Sequence, residues 1–448
     1  MGLTQQIAAY IASPGIDAVP EDAAAIIRSG FIDTIGTMIA GREEPAVRLL
    51  RAQLAERRGT AEEATVLLGP DRAYSADAAL INGTAAHALD YDDVALGGHP
   101  STVLVPAILA EGERLGVDGA AAIRAYLIGY EVWGELIARD PDPHHRKGWH
   151  PTGVFGTVGA AAALAHLNGL EAGRAAHAVA LAGSMASGLV ANFGSMTKPF
   201  HAGRAAAAAV EAVRLAARGF TASPDAMEHH AGFLAALSPA GRADREGSVA
   251  LGRTLRILDA GLSIKRYPMC YATHRAIDGM LALTARENLR PEDVTEIAVT
   301  VGATQASMLR NHRPATGLEA KFSLEFAMAA ALVARRVGLA ELTDGFVARP
   351  EVQAQFDKLR IGTVDTQCPV EPIFALTDRV RIRTTAGREL DSGEIRFPHG
   401  NAKDPLALPE LREKFLDCAG AAPIDAGAVF DRLAGLERAP RLAGLLAA

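Results

Sequence analysis

The sequence predicts a mainly α protein, with a large, discontinuous all-helical domain and a smaller α+β domain inserted into it. Three observations lead there. Alanine-rich segments with apolar residues three and four apart run as far as about residue 262, the pattern of helices with one buried face. Beyond that point segments such as Glu296–Val301 alternate apolar and polar residues as strands do. After Pro405 helical spacing returns in a tail too short to fold alone, so the tail is expected to pack back on the first domain. The expected boundaries are 1–264 for the helical domain, 265–397 for the α+β domain and 398–448 for the returning helices. A cleft is expected where the two domains meet.

The individual elements follow from the same patterns. Ala23–Ala40 brings Ile26, Phe31, Ile35, Met38 and Ile39 onto or near one face. Asp77–Leu89 and Val103–Leu115 are helix candidates, and Ala120–Leu136 spaces Ile123, Leu127, Tyr130 and Trp133 helically. Gly153, Gly156 and Gly159 open the next helix. No strand precedes them and no Lys-Ser/Thr follows, so close helix packing explains them better than phosphate binding. Glu171–Leu189 and Gly203–Arg218 complete the first helical set. Alanine throughout favours helix intrinsically and lets neighbouring helices approach closely. In the second region, Asp378–Thr384 sends Val380 and Ile382 to one side and Arg379, Arg381 and Arg383 to the other. Ala386-Gly387 turns that strand into a second one, Glu389–Phe397, with a helix at Ser323–Val337 upstream. Leu406–Leu416 and Ala426–Leu436 are the helices of the tail. No fixed-period repeat emerges, against a solenoid.

Composition narrows the function. Lys+Arg 45 against Asp+Glu 52 gives a net charge of −7 with no basic stripe, so nucleic acid has no electrostatic footprint. Cys270, Cys368 and Cys418 are far apart and odd in number, neither a disulfide framework nor a zinc pattern. That usage fits a reducing, cytoplasmic setting. The uncharged run Ala178–Ser195 is interrupted by Gly183, Ser184, Ser187 and Asn192, so it is expected to be a core helix and no membrane partner is expected.

Four stretches carry side chains suited to chemistry. Asp90-Tyr91-Asp92-Asp93-Val94-Ala95-Leu96-Gly97-Gly98-His99-Pro100 gathers three carboxylates and an imidazole around a flexible Gly97-Gly98 joint. A solvated capping loop is the plainer alternative for it. Lys198 is a lone cation between two apolar helical segments, where a Lys either snorkels to water or is tuned for a task. His150 immediately precedes a helix, a position suited to holding a carboxylate, whereas His144-His145 read as surface residues. Ser263–His274 places Lys265, Arg266, Tyr267, Tyr271 and His274 at the expected domain joint, a set suited to a small anion. Arg310–Pro314 adds cations or is simply an exposed loop. A divalent metal at Asp90, Asp92, Asp93, His87 and His99 is a minor alternative. No Gly-x-Ser-x-Gly elbow, His-Glu-x-x-His, Walker loop or dinucleotide fingerprint is present. Metal-free acid–base work on an anion remains.

Together these stretches resemble the MmgE/PrpD family, which includes 2-methylcitrate dehydratase, cis-aconitate decarboxylase and iminodisuccinate epimerase. The resemblance rests on Ala88–Asp93 with His99-Pro100-Ser101, Trp149–Thr152, Thr197–Gly203, Lys265–Cys270 with His274, Lys321–Leu324, and Gly400–Pro405. It implies a helical domain with a smaller α+β lid, a homodimer, no cofactor, and a di- or tricarboxylate substrate. By position it implies active-site roles for Asp90, His99, His150, His274, Lys198 and Lys265. Lys198 and His99 are expected to move protons with Asp90 tuning one of them, while His150, Lys265 and His274 hold carboxylates. Asp93 and Tyr267 join the substrate-binding candidates. Val94 stands where related dehydratases and decarboxylases commonly carry Thr, and the loop to His99 is a residue shorter than in the decarboxylase. On that ground the expected reaction is epimerisation of an iminodisuccinate-like dicarboxylate, with dehydratase or decarboxylase as alternatives. A non-catalytic carboxylate-binding protein on the same scaffold is the rival from another class.

Overall fold

A computed structural model describes residues 1–16, 18–56, 61–69, 71–420 and 422–446. The chain divides into two compact units, one of Met1–Ile264 with Leu408–Ala448 and one of Lys265–Ala407.

The first unit is helical. Its principal helices are Glu21–Gly41, Ser75–His87, Ser101–Leu115, Gly119–Ile137, Pro151–Leu167, Ala172–Met185 and Thr197–Ala217, joined by Leu408–Ala419 and Ala426–Ala434 from the tail. Leu408–Ala419 packs against Glu21–Gly41. Its core includes Phe31, Tyr126, Tyr130, Trp133 and Phe155, all fully buried. Alanine and glycine set how near the helices come. A Cβ on Gly203 would sit 2.1 Å from the Leu80 carbonyl oxygen, so the helices Ser75–His87 and Thr197–Ala217 cross in backbone contact. The expected close packing of the Gly153-x-x-Gly156-x-x-Gly159 segment is present, since a Cβ on Gly159 would meet the Gly129 carbonyl at 2.9 Å.

Two expectations in this unit need correction. The helix after Lys198 starts at Thr197 rather than Gly203. Pro199 falls in its first turn, where the missing N–H is no loss. The run Ala178–Ser195 is not one core helix. It leaves helical geometry after Met185, and Gly188 has a φ of +140°. Leu3–Ala12 and Pro45–Glu56 are helices that the apolar pattern did not single out. Glu21–Gly41 has the length and hydropathy to cross a membrane, but 72% of its apolar window is buried inside the protein, as in a core helix.

The second unit contains a four-stranded sheet. Val294–Gly302 lies between Leu359–Val364, which is parallel to it, and Arg379–Thr384, which is antiparallel. Glu389–Asp391 completes the expected hairpin through the Arg381↔Asp391 and Arg383↔Glu389 pairs. The hairpin's second strand is shorter than the expected 389–397, with Ile395 rejoining through an isolated bridge to Asp378. Val380 and Ile382 are buried, while Arg379 and Arg381 reach Asp391 on the other face, as the alternation requires. The helices His274–Glu287 and Leu324–Val333 pack on one another over this unit's core. Leu359–Val364 has too few buried positions to announce itself in sequence.

Candidate active site

The Ser75–His87 helix delivers His87 to its C-terminal end, and the chain then turns sharply. Asp90 takes a left-handed backbone with φ +53°, an arrangement uncommon for a residue other than glycine and costing about 1 kcal/mol. Further on, Ala95 and Gly98 exchange both backbone hydrogen bonds, at 3.0 and 2.9 Å, around Leu96 and Gly97 with φ +49° and +68°. Positive φ at both central residues is the mark of a type I′ turn. Gly97-Gly98 is therefore a closed turn rather than a flexible joint. Val94 pairs through its backbone with Ser263, at 2.8 and 3.0 Å. The His99 amide donates to Thr152 Oγ1 at 3.1 Å, tying the loop to the Pro151–Leu167 helix.

Within this frame Asp90, His99 and Lys198 come together. Lys198 Nζ donates to Asp90 Oδ1 at 2.8 Å, and His99 Nε2 lies 3.9 Å from the same oxygen. His99 Nδ1 faces the Asp93 backbone carbonyl at 2.9 Å, with Asp92 Oδ2 at 2.6 Å. A carbonyl only accepts, so Nδ1 carries the proton and Nε2 is the atom left to exchange one. The three side chains keep 20, 12 and 14% exposure respectively, so a small molecule can reach them. The groups behind them cannot be reached.

That backing layer sets the electrostatics. Asp92 is fully buried and accepts from His87 Nδ1 at 2.9 Å. Burial alone would raise its pKa, but His87 and His99 together hold the carboxyl well below the usual range. Burial pushes His87 down to about 4, against the pull of Asp92, so its ring is neutral near pH 7. Asp93 behaves oppositely. Burial first, and then the Asp33 charge, push it well above the carboxylate range. Its carboxyl binds the Ser101 hydroxyl, which lies 2.6 Å from the Tyr126 hydroxyl. Fully buried, Asp93 braces the start of the Ser101–Leu115 helix.

His150 stands at the N-cap position of the Pro151–Leu167 helix, with its side chain turned to other partners, and is 1% exposed. Its Nδ1 faces His201 Nδ1 at 3.1 Å, so one of the two nitrogens carries the proton and the other accepts it. Burial lowers the pKa of both, His201 to about 4. The Phe193 ring lies edge-on to His150 and 5.2 Å from the Lys198 ammonium. His144, expected at the surface, is buried edge-on against Phe155. His201 was missed, although it lies three residues after Lys198 and so shares its helix face. His87 was noticed only as a metal ligand. One ligand-type atom from each of His87, Asp90, Asp92 and His99 lies within 4.8 Å of the others. Lys198 already balances Asp90, and two imidazoles contact Asp92, so both carboxylates have partners within the protein.

Lys265, Tyr267 and His274 belong to the second unit. All three are buried. His274 opens the His274–Glu287 helix, with Tyr267 and Tyr271 ring centroids at 5.2 and 5.1 Å. The Tyr267 hydroxyl is held 2.5 Å from Asp278 Oδ1.

A triad of acid, imidazole and amine on a helical scaffold, followed by an α+β unit with a buried His and Lys, defines a class. Residues 5–246 match the MmgE/PrpD N-terminal domain and residues 267–427 the MmgE/PrpD C-terminal domain. The chain belongs to the MmgE/PrpD family. Among characterised proteins it is similar to human cis-aconitate decarboxylase, 26% identical over 401 residues covering 86% of this chain and 81% of that protein. The mouse cis-aconitate decarboxylase is 28% identical over 353 residues, 75% of this chain and 70% of that protein. The Aspergillus terreus cis-aconitate decarboxylase is 23% identical over 479 residues, 99% of this chain and 95% of that protein.

Proposed function

We propose that this protein is a carbon–carbon lyase that decarboxylates a small unsaturated tricarboxylate of the cis-aconitate type. The observation that carries the reading is the Lys198–Asp90–His99 constellation at 2.8 and 3.9 Å, in a chain similar to the human and mouse cis-aconitate decarboxylases. The comparisons favour this alternative over the epimerase suggested by Val94. Val94 joins the loop through backbone hydrogen bonds to Ser263, which any side chain permits, so the absent hydroxyl is a weak guide to reaction type.

In the proposed reaction the bond from carbon to the departing carboxylate breaks. Its electron pair spreads onto the remaining conjugated system while carbon dioxide leaves. A cation beside that system lowers the barrier, and a protonated group then delivers the proton that completes the product. Lys198 is the cation and proton donor, and Asp90 keeps its ammonium aimed. His99 presents Nε2 to the same space, takes a proton there from solvent water and passes it to Lys198, which restores the ammonium for the next turnover. The neutral His150 supplies a hydrogen bond to a carboxylate that stays. Lys265 and His274 hold carboxylates on the strength of the family resemblance, and a homodimer is proposed on the same basis.

The test is incubation of the purified protein with cis-aconitate in D₂O, followed by proton NMR. Carbon dioxide release with one deuterium in the product is the expected result. Deuterium exchange with inverted configuration and no loss of carbon would overturn the proposal in favour of an epimerase, and water addition or loss would point to a hydratase. Binding without any exchange would leave the non-catalytic reading.

A further inference from the structure

We infer that Lys414, in the C-terminal tail, is a positioning residue that holds the backbone of the Asp90–Asp92 turn in its working geometry; this rests on Asp90, His99 and Lys198 being the reacting groups. Lys414 lies on the Leu408–Ala419 helix, which packs against the Glu21–Gly41 helix. Its ammonium donates to the Tyr91 backbone carbonyl at 2.8 Å, across 323 residues of sequence. The same nitrogen pairs with Asp33 at 2.5 Å and stands 4.0 Å from the centroid of the Tyr91 ring. Lys414 and Asp33 side chains are 5% and 0% exposed, so the pair is enclosed by protein.

The location gives this contact its consequence. Tyr91 stands between Asp90, which pairs with Lys198, and Asp92, which contacts His87 and His99. Asp90 is held at φ +53°, a left-handed conformation that aspartate adopts more readily than most residues but that still lies above ordinary backbone angles in energy. Lys414 grips the next residue by both carbonyl and ring, which limits rotation of the peptide after Asp90. Release of that grip lets Asp90 relax toward ordinary backbone angles and turns its carboxylate away from Lys198. A displacement near 1 Å at a reacting group costs on the order of a hundredfold in rate.

The test uses the full chain and three proteins: wild type, Asp33→Asn, and the double variant Lys414→Met/Asp33→Asn. Asp33→Asn removes the carboxylate's charge and leaves the Lys414 ammonium on the Tyr91 carbonyl, so it separates the loss of that charge from the loss of the contact. The double variant also removes the contact without leaving an unbalanced carboxylate. Hydrogen exchange of the amides of residues 90–95 is the primary reading. The double variant is expected to exchange there about tenfold faster than Asp33→Asn, with the Pro151–Leu167 helix unchanged. Its kcat on cis-aconitate is expected to fall at least about tenfold below that of Asp33→Asn with KM within about twofold, because aim rather than binding is lost. Equal exchange of residues 90–95 in the two variants would overturn the inference. If wild type does not decarboxylate cis-aconitate, the reaction proposed above fails, while the exchange comparison still decides whether Lys414 holds the turn.

Discussion

Replacing His87 with Gln probes the buried layer behind the triad without using activity. His87 is 1% exposed, donates to Asp92 at 2.9 Å, and is pushed by burial from 6.5 to about 4. In the unfolded chain the ring gains a proton as pH falls through 6.5, whereas in the folded protein it stays neutral until about pH 4. The unfolded state therefore binds more protons across that window, and stability falls as the solution is acidified. From pH 7 to pH 5 this one residue costs about 2 kcal/mol, approaching about 3 kcal/mol by pH 4. Gln keeps a donor toward Asp92 but does not titrate. Urea unfolding at pH 7, 6 and 5 should show the wild type losing about 2 kcal/mol more than His87→Gln over that range, whatever their relative stability at pH 7. Both tryptophans, Trp133 and Trp149, lie in the helical unit, so their fluorescence follows the part that contains His87. Parallel loss of stability in the two proteins would refute the claim that burial keeps His87 neutral.

The remaining predictions concern rate and packing. Lys198→Ala should lower kcat on cis-aconitate by a factor of about 10² to 10³, the usual cost of a lost electrostatic stabiliser. Its circular dichroism should be unchanged, and near-wild-type turnover would rule out its catalytic role. His99→Gln should lower kcat by about 10² to 10⁴, since Nε2 is the ring atom placed 3.9 Å from Asp90 for proton exchange. Turnover close to wild type would exclude proton transfer by this ring. Gly203→Ala should destabilise the helical unit by about 1–3 kcal/mol or more, because the new methyl would meet the Leu80 carbonyl at 2.1 Å and Thr84 Oγ1 at 2.4 Å. A melting temperature within a degree of wild type would show that this helix crossing is looser than it looks.

What the sequence by itself determined is whatever is encoded locally. Helical spacing marked the Glu21–Gly41 and Gly119–Ile137 helices to within a few residues, because one buried stripe repeats every turn. Alternation marked the Arg379–Thr384 strand for the equivalent reason, with valine and isoleucine facing in and arginines facing out. The chemical residue types of the site were legible too: Asp90, His99, His150 and Lys198 interrupt alanine-rich segments where a charge needs a reason to be. The family followed from their order along the chain. Sequence spacing could not show that Asp93 faces Ser101 while Asp90 faces Lys198, because adjacent carboxylates on a turn diverge according to backbone angles that no residue type dictates. The parallel Leu359–Val364 strand was missed because its apolar content is slight and its partner lies far back in the chain. Which nitrogen of His99 is free, which imidazoles stay neutral and how Lys414 reaches Tyr91 were decided by tertiary structure alone. Burial and hydrogen-bond partners come from residues distant in sequence, and those two things set the protonation of His87, Asp92 and Asp93 and the aim of the groups in front of them.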